Sequence, residues 1–167
     1  MLNCFAENFI MKKLLIVVAL IYCAETEAKT LNVPGQFSTI QLALNAAAAG
    51  DTVTVSAGTY HENIVWPQTN NIHLLAERSA NAKPVIDGGQ LSRVIDIEPS
   101  GGRFFTAEIT GFAITNGLLN VPAHKGETGA GIFASNAVLN IFKCDISSNT
   151  ITSTYDIQNN GGGAGIS

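Results

Sequence analysis

Part of this chain repeats itself at an interval too long for a hairpin, with no helix between the copies. Ile109, Phe112 and Ile114 return 32 residues later as Ile141, Cys144 and Ile146. Gly129-Ala130-Gly131-Ile132 returns 34 residues later as Gly163-Ala164-Gly165-Ile166. Asn116 and Asn149 fall at matching turn positions. A single turn of chain cannot bury its own inward side chains, whereas stacked turns bury them against one another and pair each backbone edge with the turn above and below. The repeat therefore predicts ladders of Ile over Ile and of Phe112 over Cys144, with Asn and Gly at corners where left-handed backbone angles are needed.

The local pattern agrees. Asp51-Thr52-Val53-Thr54-Val55 alternates with a period of two, and short β runs follow around Asn63 to Trp66, Ile72 to Ala76, Pro84 to Asp87, Val94 to Ile97, Glu108 to Thr115, Gly131 to Ala134 and Leu139 to Ile146. Each is interrupted by Gly, Asn, Pro or Ser. Neither helical crossovers nor the Asn-Gly and Asp-Gly turns of two-residue hairpins separate them, which argues against both a βαβ sheet and a simple meander. With 16 glycines and only 13% charged residues, the composition favours tight turns and β structure over exposed helix.

One helix is expected, over about 39–49, with Ser38 as its N-cap, Gln41 completing a capping box and Gly50 closing it. Ile40, Leu42, Ala43, Leu44 and Ala46 to Ala49 make it apolar on most faces, so it must lie on an equally apolar surface. The open N-terminal end of a stack of turns is such a surface. The expected fold is thus all-β, a parallel β-helix with an N-terminal capping helix.

Met11-Lys12-Lys13 and the apolar run Leu14 to Ile21 have the layout of a secretory signal, with Met11 as the expected start. Thr26-Glu27-Ala28 suits signal peptidase, giving a mature chain from about Lys29. The organisation is then a signal peptide over 1–28, an N-terminal cap over 29–50 and β-helix turns over 51–167, ending within a turn as a truncated stack would. Lipidation at Cys23 is the alternative, opposed by the bulky Tyr22 before it. The apolar run is too short to span a bilayer, so no transmembrane helix is expected in the mature chain. Of Cys4, Cys23 and Cys144 only the last lies well inside the mature chain, which leaves no disulfide framework. Residues 29–167 carry seven Lys and Arg against ten Asp and Glu, and no basic cluster. Nucleic acid is therefore not an expected partner, and a monomer is expected.

Phe37-Ser38-Thr39-Ile40-Gln41, Ala46 to Val53 and Gly58-Thr59-Tyr60-His61-Glu62-Asn63-Ile64 resemble the opening of right-handed parallel β-helix repeat proteins of the pectin-lyase-like superfamily. Pro84 to Gly88, Ile109 to Gly117 and Gly129 to Ile132 continue the resemblance, which covers essentially the whole mature chain. It implies a right-handed solenoid, secreted or at the cell surface, that binds or is presented to polysaccharide or another cell. The superfamily holds both enzymes and surface proteins, so fold alone does not choose. The alternative is the N-terminal part of a polysaccharide lyase, glycoside hydrolase or pectin methylesterase whose active site lies downstream. Phe37 to Asp87 is similar to the start of pectin methylesterases, but the Gln-Asp and Asp-Arg motifs of that family are not recognisable after Gly88.

No catalytic, cofactor-binding or metal-binding residue is assigned. Asp87 and Asp96, both in Val-Ile-Asp contexts, would form a carboxylate pair or a calcium site only if stacked on adjacent turns with a further ligand; turn duty is the simpler reading. His61, His73 and His124 lie in separate segments without metal-ligand spacing. Cys144 reads as a small buried hydrophobe. Tyr60 and Trp66 could stack on a sugar if both pointed outward, with core packing the default. Gly161 to Gly163 lack the following Lys-Ser/Thr of a phosphate loop and read as a corner.

Overall fold

The computed structural model describes residues 27–77, 82–121, 128–153, 165 and 166. Among them the chain is all-β with one helix. Its elements are β1 (Thr30–Val33), α1 (Ile40–Ala46), β2 (Thr52–Val55), β3 (Thr59–His61), β4 (Ile64–Val65), β5 (Ile72–Ala76), β6 (Val85–Asp87), β7 (Ile95–Ile97), β8 (Phe105–Thr110), β9 (Ala113–Thr115), β10 (Leu118–Val121), β11 (Ile132–Ala134), β12 (Ala137–Phe142), β13 (Asp145–Ser147) and β14 (Thr150–Ser153).

Every strand pairs in parallel, in stacked sheets of order β1-β2-β5-β8-β12, β13-β9-β6-β3 and β11-β7-β4, plus the pair β10-β14. The chain visits these sheets in rotation, so each strand's neighbour is supplied by the next turn and not by a hairpin. This order is compatible with a β-helix. Like stacks on like inside it. The inward rows are Leu31, Val53, Leu74, Ile109, Ile141 in the first sheet, Tyr60, Ile86, Ile114, Ile146 in the second and Ile64, Ile95, Ile132 in the third. The repeat seen in the sequence is this register: Ile109 faces Ile141, Ile114 faces Ile146, and Ile132 bridges to Ile166. Val53, Leu74, Ile109, Ile86, Ile114, Ile95 and Ile132 are fully buried in one continuous core.

The corners differ from the expectation in detail. The run 108–115 breaks at Gly111, where φ is +91° and a Cβ would come within 2.8 Å of Ala76 Cβ, so that Phe112 can turn fully inward. The run 139–146 breaks likewise at Lys143, with φ +54°. Left-handed backbone sits at Asn116 and, 32 residues on, at Ser148, not at Asn149. Asn149 instead uses its side chain across the stack: Oδ1 accepts from Gly117 N at 2.8 Å and Nδ2 donates to Ile114 O at 3.1 Å.

The helix is shorter than expected and capped differently. Thr39, not Ser38, is the N-cap: its backbone is extended and its hydroxyl accepts from Leu42 N at 3.2 Å. The two carboxylate oxygens of Glu62, from the next turn, accept from Ile40 N and Gln41 N at 2.9 Å each. Gln41 does not close a capping box; its amide pairs with both Val65 O and Val65 N at 2.8 Å, as a backbone strand would. Ile40, Ala43 and Leu44 are buried against β1, β2 and β4. Since β1 and β4 are edge strands, the helix covers that end of the sheets. Replacing Glu62 with Ala removes two charge-assisted bonds to otherwise unpaired helix donors, so urea unfolding of Glu62→Ala should show a loss of about 1–3 kcal/mol.

Ala47 to Ala49 leave the helix despite their high propensity, because a buried carboxylate captures the amide of Ala48. Asp51, 3% exposed, accepts from Lys29 N at 2.7 Å and Ala48 N at 2.8 Å, and Gly50 turns at φ +91°. These backbone donors, Lys29 first and then Ala48, hold its carboxyl below the ordinary value of 3.8. The unfolded chain therefore binds this proton more readily than the folded one. The stability it contributes is complete above the ordinary carboxylate range and is lost as pH falls through the lower folded value. Asp51→Asn is expected to cost about 1–3 kcal/mol at neutral pH. Its deficit against the unaltered chain should shrink in acid, as read from denaturation midpoints across a pH series.

Candidate functional site

The outward face of the five-stranded sheet is built by the same register as the core. Residues alternating with the buried row form the outward row Thr30, Thr52, His73, Glu108, Asn140. His73 Nδ1 lies 3.0 Å from Glu108 Oε2, and Thr110 Oγ1 donates to Glu108 Oε1 at 3.1 Å. A parallel row beside it reads Asn32, Thr54, Leu75, Thr110, Phe142. Phe142 and Val138 on β12 are more than half exposed. The face thus offers hydroxyl, imidazole, carboxylate and amide groups in line, with an aromatic ring at one edge.

A second feature lies on the three-stranded sheet. Asn63, Ile64, Val65, Ser92, Arg93, Asp96 and Leu119 line a recess of about 110 Å³. Arg93 is held by several partners at once: Nε and Nη2 donate to Thr128 O at 3.3 Å, its guanidinium lies 4.4 Å from the centre of the Phe133 ring, and Nη1 is 3.6 Å from Asp96 Oδ2. Asp96 Oδ1 is buried without a hydrogen-bond partner. Burial pushes the Asp96 carboxyl above the ordinary range, against the opposing pull of Arg93. Sequence reading missed Arg93. Its i, i+3 relation to Asp96 was visible, but Phe133 reaches it only through the register of β11 on β7.

The two aspartates are not stacked on adjacent turns. Asp87 lies between His61 and Thr115 in the four-stranded sheet, whereas Asp96 lies between Val65 and Phe133 in the three-stranded one. Asp87 Oδ1 accepts from Gly89 N at 2.9 Å and Asn116 Nδ2 at 3.0 Å, and these bonds hold its carboxyl below the ordinary range. That is corner duty. His61 is exposed and stands 3.6 Å from Asp87 Oδ2. Trp66 is buried, so it cannot offer a face to a sugar; Tyr60 packs partly on the core and donates its hydroxyl to Ser56 O at 2.9 Å. Cys144 packs against the core but stays half-buried, because β13 and β12 are the last strands of their sheets among the described residues. His124, Gly161 to Gly163 and the segment 1–26, with Cys23, lie outside the described residues.

Among the described residues no three His, Cys, Asp or Glu side chains converge as a metal site would require, and no helix is long and apolar enough to cross a membrane. The chain was compared with models of known protein families, with curated proteins and with solved structures. None matches. What the molecule does must therefore be argued from its own surfaces.

Proposed function

We propose that the chain belongs to an exported, right-handed parallel β-helix protein of the pectin-lyase-like kind, secreted or held at the cell surface. In this reading it binds polysaccharide, in solution or on another cell, through the outward face of the five-stranded sheet, without chemistry in this segment. The observation that carries it is the row Thr52, His73, Glu108, Asn140, in which successive turns place hydrogen-bonding groups along one line. Parallel strands lie about 4.8 Å apart. A flat, polar, evenly spaced row suits an extended ligand that carries hydroxyls along its length, and Phe142 offers a ring to an apolar sugar face. The secretory pattern at Met11 to Ala28 and the resemblance of Phe37 to Ile132 support export and family respectively.

Affinity electrophoresis of the full chain through gels containing pectin, xylan, glucomannan or mixed-linkage glucan tests the binding. At least one polysaccharide should retard it, and His73→Ala or Phe142→Ala should weaken the retardation several-fold. Unretarded migration in every gel, together with no binding to intact cells, would contradict the reading. The exported product should begin near Lys29 by N-terminal sequencing; a product kept inside the cell with residues 1–28 intact would contradict export.

A further inference from the structure

We infer that Asp51 receives the α-ammonium group created when the chain is cut between Ala28 and Lys29, so that processing completes the N-terminal cap with an ion pair. The inference rests on the export reading for the cut and on geometry for the rest. The backbone of Lys29 is held on both sides. Its nitrogen donates to Asp51 Oδ1 at 2.7 Å, and its carbonyl oxygen accepts from Thr52 N at 2.8 Å. Asp51 Oδ2 accepts from Ala48 N at 2.8 Å, just past α1. The Asp51 backbone donates to Ala48 O at 3.1 Å and accepts from His73 N at 3.0 Å. One buried residue thus ties Lys29 to the helix end, to β2 and to β5.

Hydrolysis of the Ala28–Lys29 bond by a signal peptidase adds one water across the amide. Ala28 leaves with the signal as a carboxylate, and both water protons end on the Lys29 nitrogen, which becomes an ammonium. A neutral hydrogen bond is thereby replaced by a charge-assisted one between the same two atoms. Desolvation usually weighs against a buried pair. Here the carboxylate is already buried, and the Lys29 and Ala48 amides hold it ionised, in the uncut chain. Ala28 and Lys29 are exposed, so the ammonium keeps water on its outer protons. No other charge competes for it: β1, α1 and β2 carry none, and His73 on β5 is turned to Glu108. The Lys29 side chain, which also favours the Asp51 carboxylate, is common to the cut and uncut chains. Only this cut forms the pair, because retaining Ala28 keeps the amide and moves the terminal charge one residue away. An amine held by the carboxylate titrates above its ordinary range of about 7.7–8.0. Its contribution is complete below that range and is lost as pH rises through the higher folded value.

The test compares chains that start at Lys29 and at Ala28, each released with that exact end from a fusion partner by protease and unfolded in urea across a pH series. At pH 7 the folding equilibrium constant of the Lys29 chain should be about tenfold larger, since a charge-assisted hydrogen bond is roughly twice as strong as a neutral one. The advantage should vanish by about pH 11. It should fall below about twofold at pH 7 when both chains carry Asp51→Asn. Nitrogen-15 NMR of the terminal amines gives a reading that does not depend on Asp51→Asn folding: the Lys29 amine should titrate about one unit above the Ala28 amine, the linkage counterpart of tenfold. Equal stability at pH 7, an advantage that survives high pH or folded Asp51→Asn, or equal titration of the two amines would overturn the inference. These measurements need no export. An exported product that starts at Lys29 without the stability advantage sinks the ion pair and leaves export standing. An exported product with another first residue removes the cut, and with it the pair.

Discussion

Gly117→Ala should destabilise the protein by about 4 kcal/mol or more, an effect large enough to leave much of it unfolded, since a domain's whole stability is about 5–15 kcal/mol. A Cβ at this position would lie 2.0 Å from the carbonyl oxygen of Ala130, 2.8 Å from its carbon and 2.9 Å from Val94 Cγ2. Two of these atoms are backbone of the same turn, where the chain rejoins the stack after β10, so no side-chain rotation relieves the overlap. Nor can either segment step aside without losing other bonds. Gly117 N donates to Asn149 and Gly117 O accepts from Thr150 N at 2.9 Å, while Ala130 O accepts from Val94 N at 3.1 Å. The contrast is Gly35→Ala, where the nearest atom to a new Cβ is Asn32 Cβ at 3.7 Å, an ordinary contact. Urea titration should place Gly35→Ala within about 1 kcal/mol of the unaltered chain. A Gly117→Ala protein equally stable would mean that Gly117 and Ala130 do not approach as described.

Phe112→Ala is expected to cost about 3–5 kcal/mol, the usual penalty for emptying a fully enclosed aromatic site. The ring is completely buried at the corner between β8 and β9, flanked in sequence by the inward Ile109 and Ile114. Turns on both sides hold the surrounding backbone in parallel register, which limits how far the hole can collapse. Cys144, one repeat later, offers the complementary measurement. It is smaller and half-buried, so Cys144→Ala should cost about 1 kcal/mol or less by the same titration. Equal costs at the two positions would deny that Phe112 belongs to the interior and Cys144 to its edge.

The inward rows were legible because their spacing stays regular over the last turns. Ile109 to Ile141 and Ile114 to Ile146 share one interval, and the pairing follows it residue for residue. Earlier turns hide the same relation. Leu74 follows Val53 by 21 residues and precedes Ile109 by 35, because the connections outside the sheets differ in length while the sheets do not. A fixed-period comparison therefore cannot align them.

Strand β1 escaped because Thr30–Val33 is short and is followed by Pro34, and because its partner β2 lies beyond the helix. Among the described residues, strands β10 and β14 pair only with each other, and neither Leu118–Val121 nor Thr150–Ser153 carries the alternation that marks a half-buried strand. The helix end was misplaced for a tertiary reason. Alanine propensity favours continuation through Ala49, but the Asp51 carboxylate takes the amide of Ala48 and that of Lys29, which no local pattern announces. At the surfaces, the His73 and Glu108 pair needed the register of β5 on β8, and the Arg93 cluster needed that of β11 on β7.

Successive turns lie side by side in parallel register, and engineered disulfides measure this directly. In a chain with Cys4, Cys23 and Cys144 replaced by Ser, Thr106→Cys and Val138→Cys stand opposite each other on the outward face of β8 and β12. Neighbouring strands place such residues within the Cα separation a disulfide tolerates, about 4.4–6.8 Å. Thr106→Cys with Phe142→Cys is displaced by four residues along the strand, about 13 Å. The parallel stack predicts rapid, near-complete oxidation of the 106–138 pair and none of the 106–142 pair. Antiparallel packing of the same strands, in the register that sets Thr110 against Val138, would bring Thr106 opposite Phe142, so preferential oxidation of that second pair would contradict the fold and everything built on it.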